Sequence, residues 1–83
     1  MLYVSNASVQ RGWSNRDHLI DDSAVDRLIS RRFRTWTALR AAMDRVKAPG
    51  FITVEYLDET TGEMWRRGNE PSLPGRQPLC RRI

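Results

Sequence analysis

His18 is the single imidazole in a chain of 83 residues, and Cys80 is the single thiol. One imidazole excludes a ribonuclease mechanism of the two-histidine type, which needs a separate imidazole for each proton transfer. It leaves open a one-histidine arrangement in which His18 exchanges protons with Glu55 or Glu63 while Arg40 or Arg67 stabilises the phosphorane-like charge. The competing reading is a partly exposed histidine beside Asp22 on a helix, because one histidine in a chain of this length calls for no special role. Asp17 with Asp21, His18 with Asp22, and Asp22 with Asp26 stand at spacings that bring ligand pairs together on a helix. Acids gathered near a helix N-terminus account for them without a metal, so no metal site is assigned. Cys80 sits beside Arg81 and Arg82, which favour a thiolate, but no base or second thiol stands at motif spacing. A lone thiol builds neither an internal disulfide nor a zinc site. No GxxxxGK[ST] or GxGxxG segment occurs, so no nucleotide-cradling loop and no cofactor is implied.

Charge carries the stronger signal. Fourteen basic against ten acidic residues give +4, and all of the basic ones but Lys47 are arginine, whose rigid fork suits phosphate and carboxylate. The distribution is blocked. Residues 27–47 hold seven cations against Asp44 alone, a surplus of six, and residues 66–83 hold five against Glu70, a surplus of four. Residues 1–26 carry two cations against four acids, and residues 48–65 carry four acids and no cation. Local potential, not the modest net value, governs what an approaching anion feels. Arg27, Arg31, Arg32, Arg34 and Arg40 from the first basic block, with Trp65, Arg66 and Arg67 from the second, are therefore the expected nucleic-acid-binding residues. Trp65 next to two arginines suits base stacking with phosphate contacts. Two bland alternatives compete: the acidic 48–65 block neutralises the first basic block inside the fold, and Trp65 packs in the core of a chain that needs every large side chain it has.

The elements that must position these residues follow from periodicity. Ser14 or Asn15 can cap a first helix over 16–31 with Leu19 or Ile20, Ala24, Val25, Leu28 and Ile29 along one stripe; a break near Asp21-Asp22-Ser23 is the alternative. Thr35 caps a second, with Trp36, Leu39, Met43 and Val46 on one face and Pro49-Gly50 as the stop. Phe51 to Leu57 alternates as a half-buried strand, and Asp58 to Glu63 forms a turn with Gly62 at the position of positive φ. Asp58 then opposes Glu63, Tyr56 opposes Trp65 and Val54 opposes Arg67. Ile52, Val54, Tyr56 and Trp65 cover helix two, while Leu57 and Met64 share the other face. Leu2-Tyr3-Val4 is a candidate short third strand, and Ser5 to Ser8 reads as loop. The expected fold is thus α+β: two helices packed on a C-terminal antiparallel hairpin, in one domain over residues 1–68. Pro71, Pro74 and Pro78 then impose an extended Pro/Arg-rich tail over 69–83.

Two stretches resemble known families. Phe33-Arg34-Thr35-Trp36-Thr37-Ala38-Leu39-Arg40-Ala41-Ala42-Met43 looks like the aromatic-led helix of nuclease domains in bacteriocins and polymorphic toxins, although the paired-histidine metal motif of that group is missing. A helix leading into a hairpin that turns at Thr61-Gly62 is similar to small barnase-like toxin domains. Both resemblances imply a nuclease. The charge blocks alone imply something simpler, a small non-catalytic protein that engages nucleic acid or a nucleoprotein complex through its arginines. A phage-type inhibitor of a host machine and a winged helix with residues 51–67 as the wing are two forms of that reading. A metal-independent ribonuclease toxin domain using His18, Glu55 and Arg40 is the enzymatic alternative, and a protein-interaction module using Trp13 or the tail is the third. No apolar run approaches the ~18 residues of a membrane span, and no basic start with an apolar stretch marks a secretion signal. A reducing, cytoplasmic setting in a bacterium or its phage is the expectation.

Overall fold

The computed structural model describes residues 1–9, 22–46, 51–70, 74–75 and 79–83. Among these the order is β1 (Leu2–Val9), α1 (Asp22–Asp26), β2 (Arg32–Phe33), α2 (Trp36–Arg45), β3 (Ile52–Asp58), β4 (Glu63–Gly68) and β5 (Cys80–Arg82). The strands form one antiparallel sheet in the order β2-β1-β3-β4-β5. The expectation of two helices on a C-terminal hairpin is overturned: sheet dominates, the helices are short, and the hairpin lies inside a five-stranded sheet. Residues 51–67 are therefore not a peripheral wing. No helix among the described residues is long and apolar enough to cross a membrane.

The largest difference lies at the N-terminus. Leu2 to Val9 is one eight-residue strand that pairs with both β2 and β3, where only Leu2-Tyr3-Val4 looked β-prone. The cause is a β-bulge. Val4 opposes Tyr56 and Asn6 opposes Glu55, so Ser5 is the extra residue, and its hydroxyl donates to the Glu55 carbonyl at 3.2 Å. The insertion shifts the alternation by one, so that Leu2 and Val4 before it and Ala7 and Val9 after it all turn toward the core. Without the bulge, Ala7 and Val9 would face away, which is why Ser5 to Ser8 reads as loop when strict period two is applied.

The first helix also ends earlier than expected. Within the described residues α1 spans only Asp22–Asp26, and Leu28, Ile29 and Arg31 donate to Val25, Asp26 and Leu28 in tighter i to i−3 turns. Ser30 ends this segment with φ at 70°, the left-handed region, and its N–H reaches the Val4 carbonyl at 2.8 Å. The chain then runs straight into β2. The part of the expected helix before Asp22 lies outside the described residues.

Helix α2 forms where its cap and stripe place it. The Thr35 hydroxyl accepts from the Ala38 N–H at 3.2 Å, and the Val46 N–H closes the other end on the Met43 carbonyl. Leu39 and Met43 are fully buried and Ala42 nearly so, while Trp36 and Val46 at the two ends are half-buried. Together with Val25 and Leu28 they close over Leu2, Val4, Phe33, Ile52, Val54 and Tyr56 from one side of the sheet. The β3–β4 register is Asp58 to Glu63, Tyr56 to Trp65 and Val54 to Arg67. Gly62 takes φ of 76° in the turn, and its N–H donates to the Asp58 carbonyl at 2.7 Å. Beyond β4, Cys80–Arg82 adds a fifth strand on β4, with Trp65 opposite Arg82 and Arg67 opposite Cys80. The end of the expected tail is thus part of the sheet.

Candidate nucleic-acid interface

Direct opposition across strands puts partners on one face, so the sheet sorts the candidate residues into two sets. Trp65 and Arg67 stand on the helix-covered side with Val54 and Tyr56, whereas Arg66 stands on the opposite side with Glu55. The Trp65-Arg66-Arg67 run is therefore split between two surfaces. Arg66 is held by Glu55, its Nε and Nη2 both donating to Oε1, the latter at 2.8 Å. On that same side Arg32 donates to Glu59 at 3.0 Å and lies 4.9 Å over the Tyr3 ring. Arg40 faces Asp44 one helical turn on, at 4.0 Å. Arg82, outside the expected set, reaches Glu63 at 3.6 Å. Neutralisation of the first basic block by the acidic 48–65 block thus accounts for Arg32 alone, while Arg40 faces an acid of its own block and Arg66, from the second basic block, is held by Glu55.

The remaining arginines divide again. Arg67 is half-buried with its guanidinium 4.0 Å above the Trp36 ring centre, and it makes no ion pair among the described residues. Arg34 is exposed just before the α2 cap, without an ion pair among the described residues. Arg27 and Arg31 meet Arg45 around a groove of about 160 Å³ between the α1 segment and the C-terminal end of α2. Its floor is Ala24, Leu28, Ala42 and Val46, and no carboxylate among the described residues lines it. All three cations are exposed, and Arg31 is steadied by lying 4.8 Å over Phe33. Arg27 and Arg31 come from the tight turns after α1 and Arg45 from the last turn of α2. The basic block thus contributes Arg27 and Arg31 of its expected members, and Arg45, which sequence reasoning did not single out. A spacing of four relates Arg27 and Arg31, but no sequence signal joins Arg45 to them, since the packing of the two helical segments brings it there.

Of the residues expected for a one-histidine mechanism, Glu63 and Arg67 share the helix-covered face of β4, whereas Glu55 and Arg40 share no surface. Glu55 lies on the open side of the sheet in its pair with Arg66, and Arg40 lies on α2, which covers the other side. The sheet separates them, so no single substrate phosphate reaches both. His18 lies outside the described residues. No group of three or more potential metal ligands occurs among the described residues.

A second concavity sits at the opposite end of α2. Trp36, Tyr56 and Trp65 line a pocket of about 300 Å³ together with Leu2, Thr35, Asp58, Arg67 and Cys80. The Trp36 and Tyr56 rings stack at 6.1 Å with 26° between their planes. No family model matches this chain, and neither a curated protein nor a solved structure is similar to it at a significant level.

Proposed function

We propose that this protein is a non-catalytic binder of nucleic acid that grips the phosphate backbone in the groove between the α1 segment and α2. The observation that carries this reading is the convergence of Arg27, Arg31 and Arg45 on one apolar-floored groove whose described lining holds no carboxylate. Cations that already face a carboxylate have little attraction left to offer, whereas three unopposed guanidiniums present forks matched to phosphate oxygens. The form of catalysis that pairs Glu55 with Arg40 would need both on one surface, and they stand on opposite sides of the sheet.

Counterion release supplies the test. Each phosphate neutralised on a single strand contributes about 0.7 to the slope of log affinity against log salt, so three contacts give a slope near 2. Affinity for a short labelled single-stranded oligonucleotide should therefore fall about 18-fold between about 50 and 200 mM salt. Fluorescence anisotropy reads this directly. An affinity that does not change with salt, or no binding at the low-salt end, refutes the proposal.

A further inference from the structure

We infer that the aromatic pocket at the N-terminal end of α2 is a receptor for one unpaired nucleobase of the strand whose backbone lies in the arginine groove. The inference deepens the proposed function and rests on it for the strand, but its evidence is separate. Trp36 and Trp65 supply π-faces and are only partly buried although each packs against the core, while the buried Tyr56, stacked on Trp36, backs the pocket. The cavity, about 300 Å³, stands at the lower end of the roughly 300–1,000 Å³ common for ligand pockets, which suits one ring system and not an extended cofactor.

The polar groups of the pocket point to a base and its phosphate. Arg67 is a half-buried cation that makes no ion pair among the described residues, and it is held 4.0 Å over Trp36 at the wall of the cavity. Asp58 also lines the cavity. Its Oδ1 accepts from the Thr60 N–H at 3.0 Å, and no cation pairs with it among the described residues. A carboxylate acceptor beside stacked aromatics matches the exocyclic amino group of cytosine, which thymine replaces with a carbonyl oxygen. An unpaired guanidinium matches the phosphate that follows. Asp58 therefore selects an amino-bearing base, and Arg67 fixes the backbone where it leaves the pocket.

Distance connects the two sites. Trp36 and Arg45 are the first and last residues of α2, nine steps apart, or about 14 Å along the axis. At the rise of about 3.4 Å per nucleotide of a stacked strand, about four nucleotides span base pocket and arginine groove, and fewer do in an extended strand, within the span that one small domain holds.

The decisive comparison varies the ligand, so folding of a variant is not at stake. Oligo-deoxycytidine, oligo-deoxythymidine and an oligonucleotide of the same length made of abasic sites present the same phosphates to the full chain. Deoxycytidine should bind roughly 5- to 150-fold more tightly than the abasic strand, with an unchanged salt slope, and more tightly than deoxythymidine. Alkylation of Cys80, the only thiol and part of the pocket lining, should slow on binding oligo-deoxycytidine and not on binding the abasic strand. Asp58→Asn should remove the preference for deoxycytidine over deoxythymidine while leaving the salt slope in place. Cytidine monophosphate, which cannot span both sites, should bind at least about tenfold more weakly than the oligonucleotide; equal affinity would place the base without the strand and overturn the inference. Equal, salt-dependent affinity for all three strands overturns the base pocket and leaves the arginine groove standing. Absence of salt-dependent binding to any strand overturns both.

Discussion

Two triple variants of this protein carry the same formal charge yet should bind nucleic acid differently. Replacing Arg27, Arg31 and Arg45 by Ala, or Arg32, Arg40 and Arg66 by Ala, lowers the net charge from +4 to +1 in each case, four minus three. The first set lines one groove with no carboxylate among its described residues, whereas members of the second face Glu59, Asp44 and Glu55 at 3.0, 4.0 and 2.8 Å. At about 0.7 per phosphate contact, the groove variant should lose about 2 from its salt slope, and with it the 18-fold change in affinity over a fourfold change in salt. The ion-paired variant should keep most of that slope, because its members already face carboxylates and have little attraction left for phosphate. Stability does not confound the comparison. Exposed ion pairs contribute about 0–1 kcal/mol each and the Arg31–Phe33 contact about 0.5–1 kcal/mol, against about 4–12 kcal/mol for a domain of this length. Far-UV circular dichroism melts confirm folding, and anisotropy titrations at several salt concentrations give the slopes. Equal loss of slope in both variants would mean that net charge alone governs binding, and the groove would have no special part in it.

Two further outcomes test the fold that carries the groove. Leu39→Ala removes a fully buried side chain from the centre of the core and should cost about 2.7–5 kcal/mol, a large share of the total, read as an early urea midpoint with an unchanged slope. Gly62→Ala has open space around the added Cβ but φ of 76°, so it should cost about 1–2 kcal/mol of backbone strain alone, whereas Gly68→Ala, whose Cβ would meet its nearest neighbours at 3.6 Å, should cost less in the same thermal melts.

The legible parts of this fold are the local ones. The Thr35 cap with the Leu39–Met43 stripe writes α2 into ten consecutive residues, and the alternation around Gly62 writes the β3–β4 register into the turn itself. What escapes is set by partners far along the chain. Ser5 is an unremarkable loop residue until Glu55 and Tyr56 supply the strand against which it bulges. Arg32-Phe33 is too short to signal a strand and becomes β2 only because Leu2 and Tyr3 lie alongside. Cys80–Arg82 follows a proline-rich stretch and extends the sheet because β4 offers a free edge. The candidate sites follow the same rule. Arg27 and Arg31 are visible as a basic pair, but Arg45 joins them through helix packing, and the partition of Arg66 from Arg67 depends on which face each residue takes.

The placement of β1 in the middle of the sheet has a consequence for the order of events at the ribosome. Val9 opposes Ile52 and Leu2 opposes Asp58, so the longest strand is made before the strand that flanks it on its long side. At about 5–20 residues per second, the roughly 50 residues between them take about 3 to 10 s to synthesise. During that interval the segment that becomes β1, with Leu2-Tyr3-Val4 as its β-prone start, waits without a strand partner, whereas the local β3–β4 hairpin can close within microseconds once made. A nascent chain halted before residue 52 should therefore be the species most exposed to self-association, and release past residue 58 should be the moment at which that exposure ends.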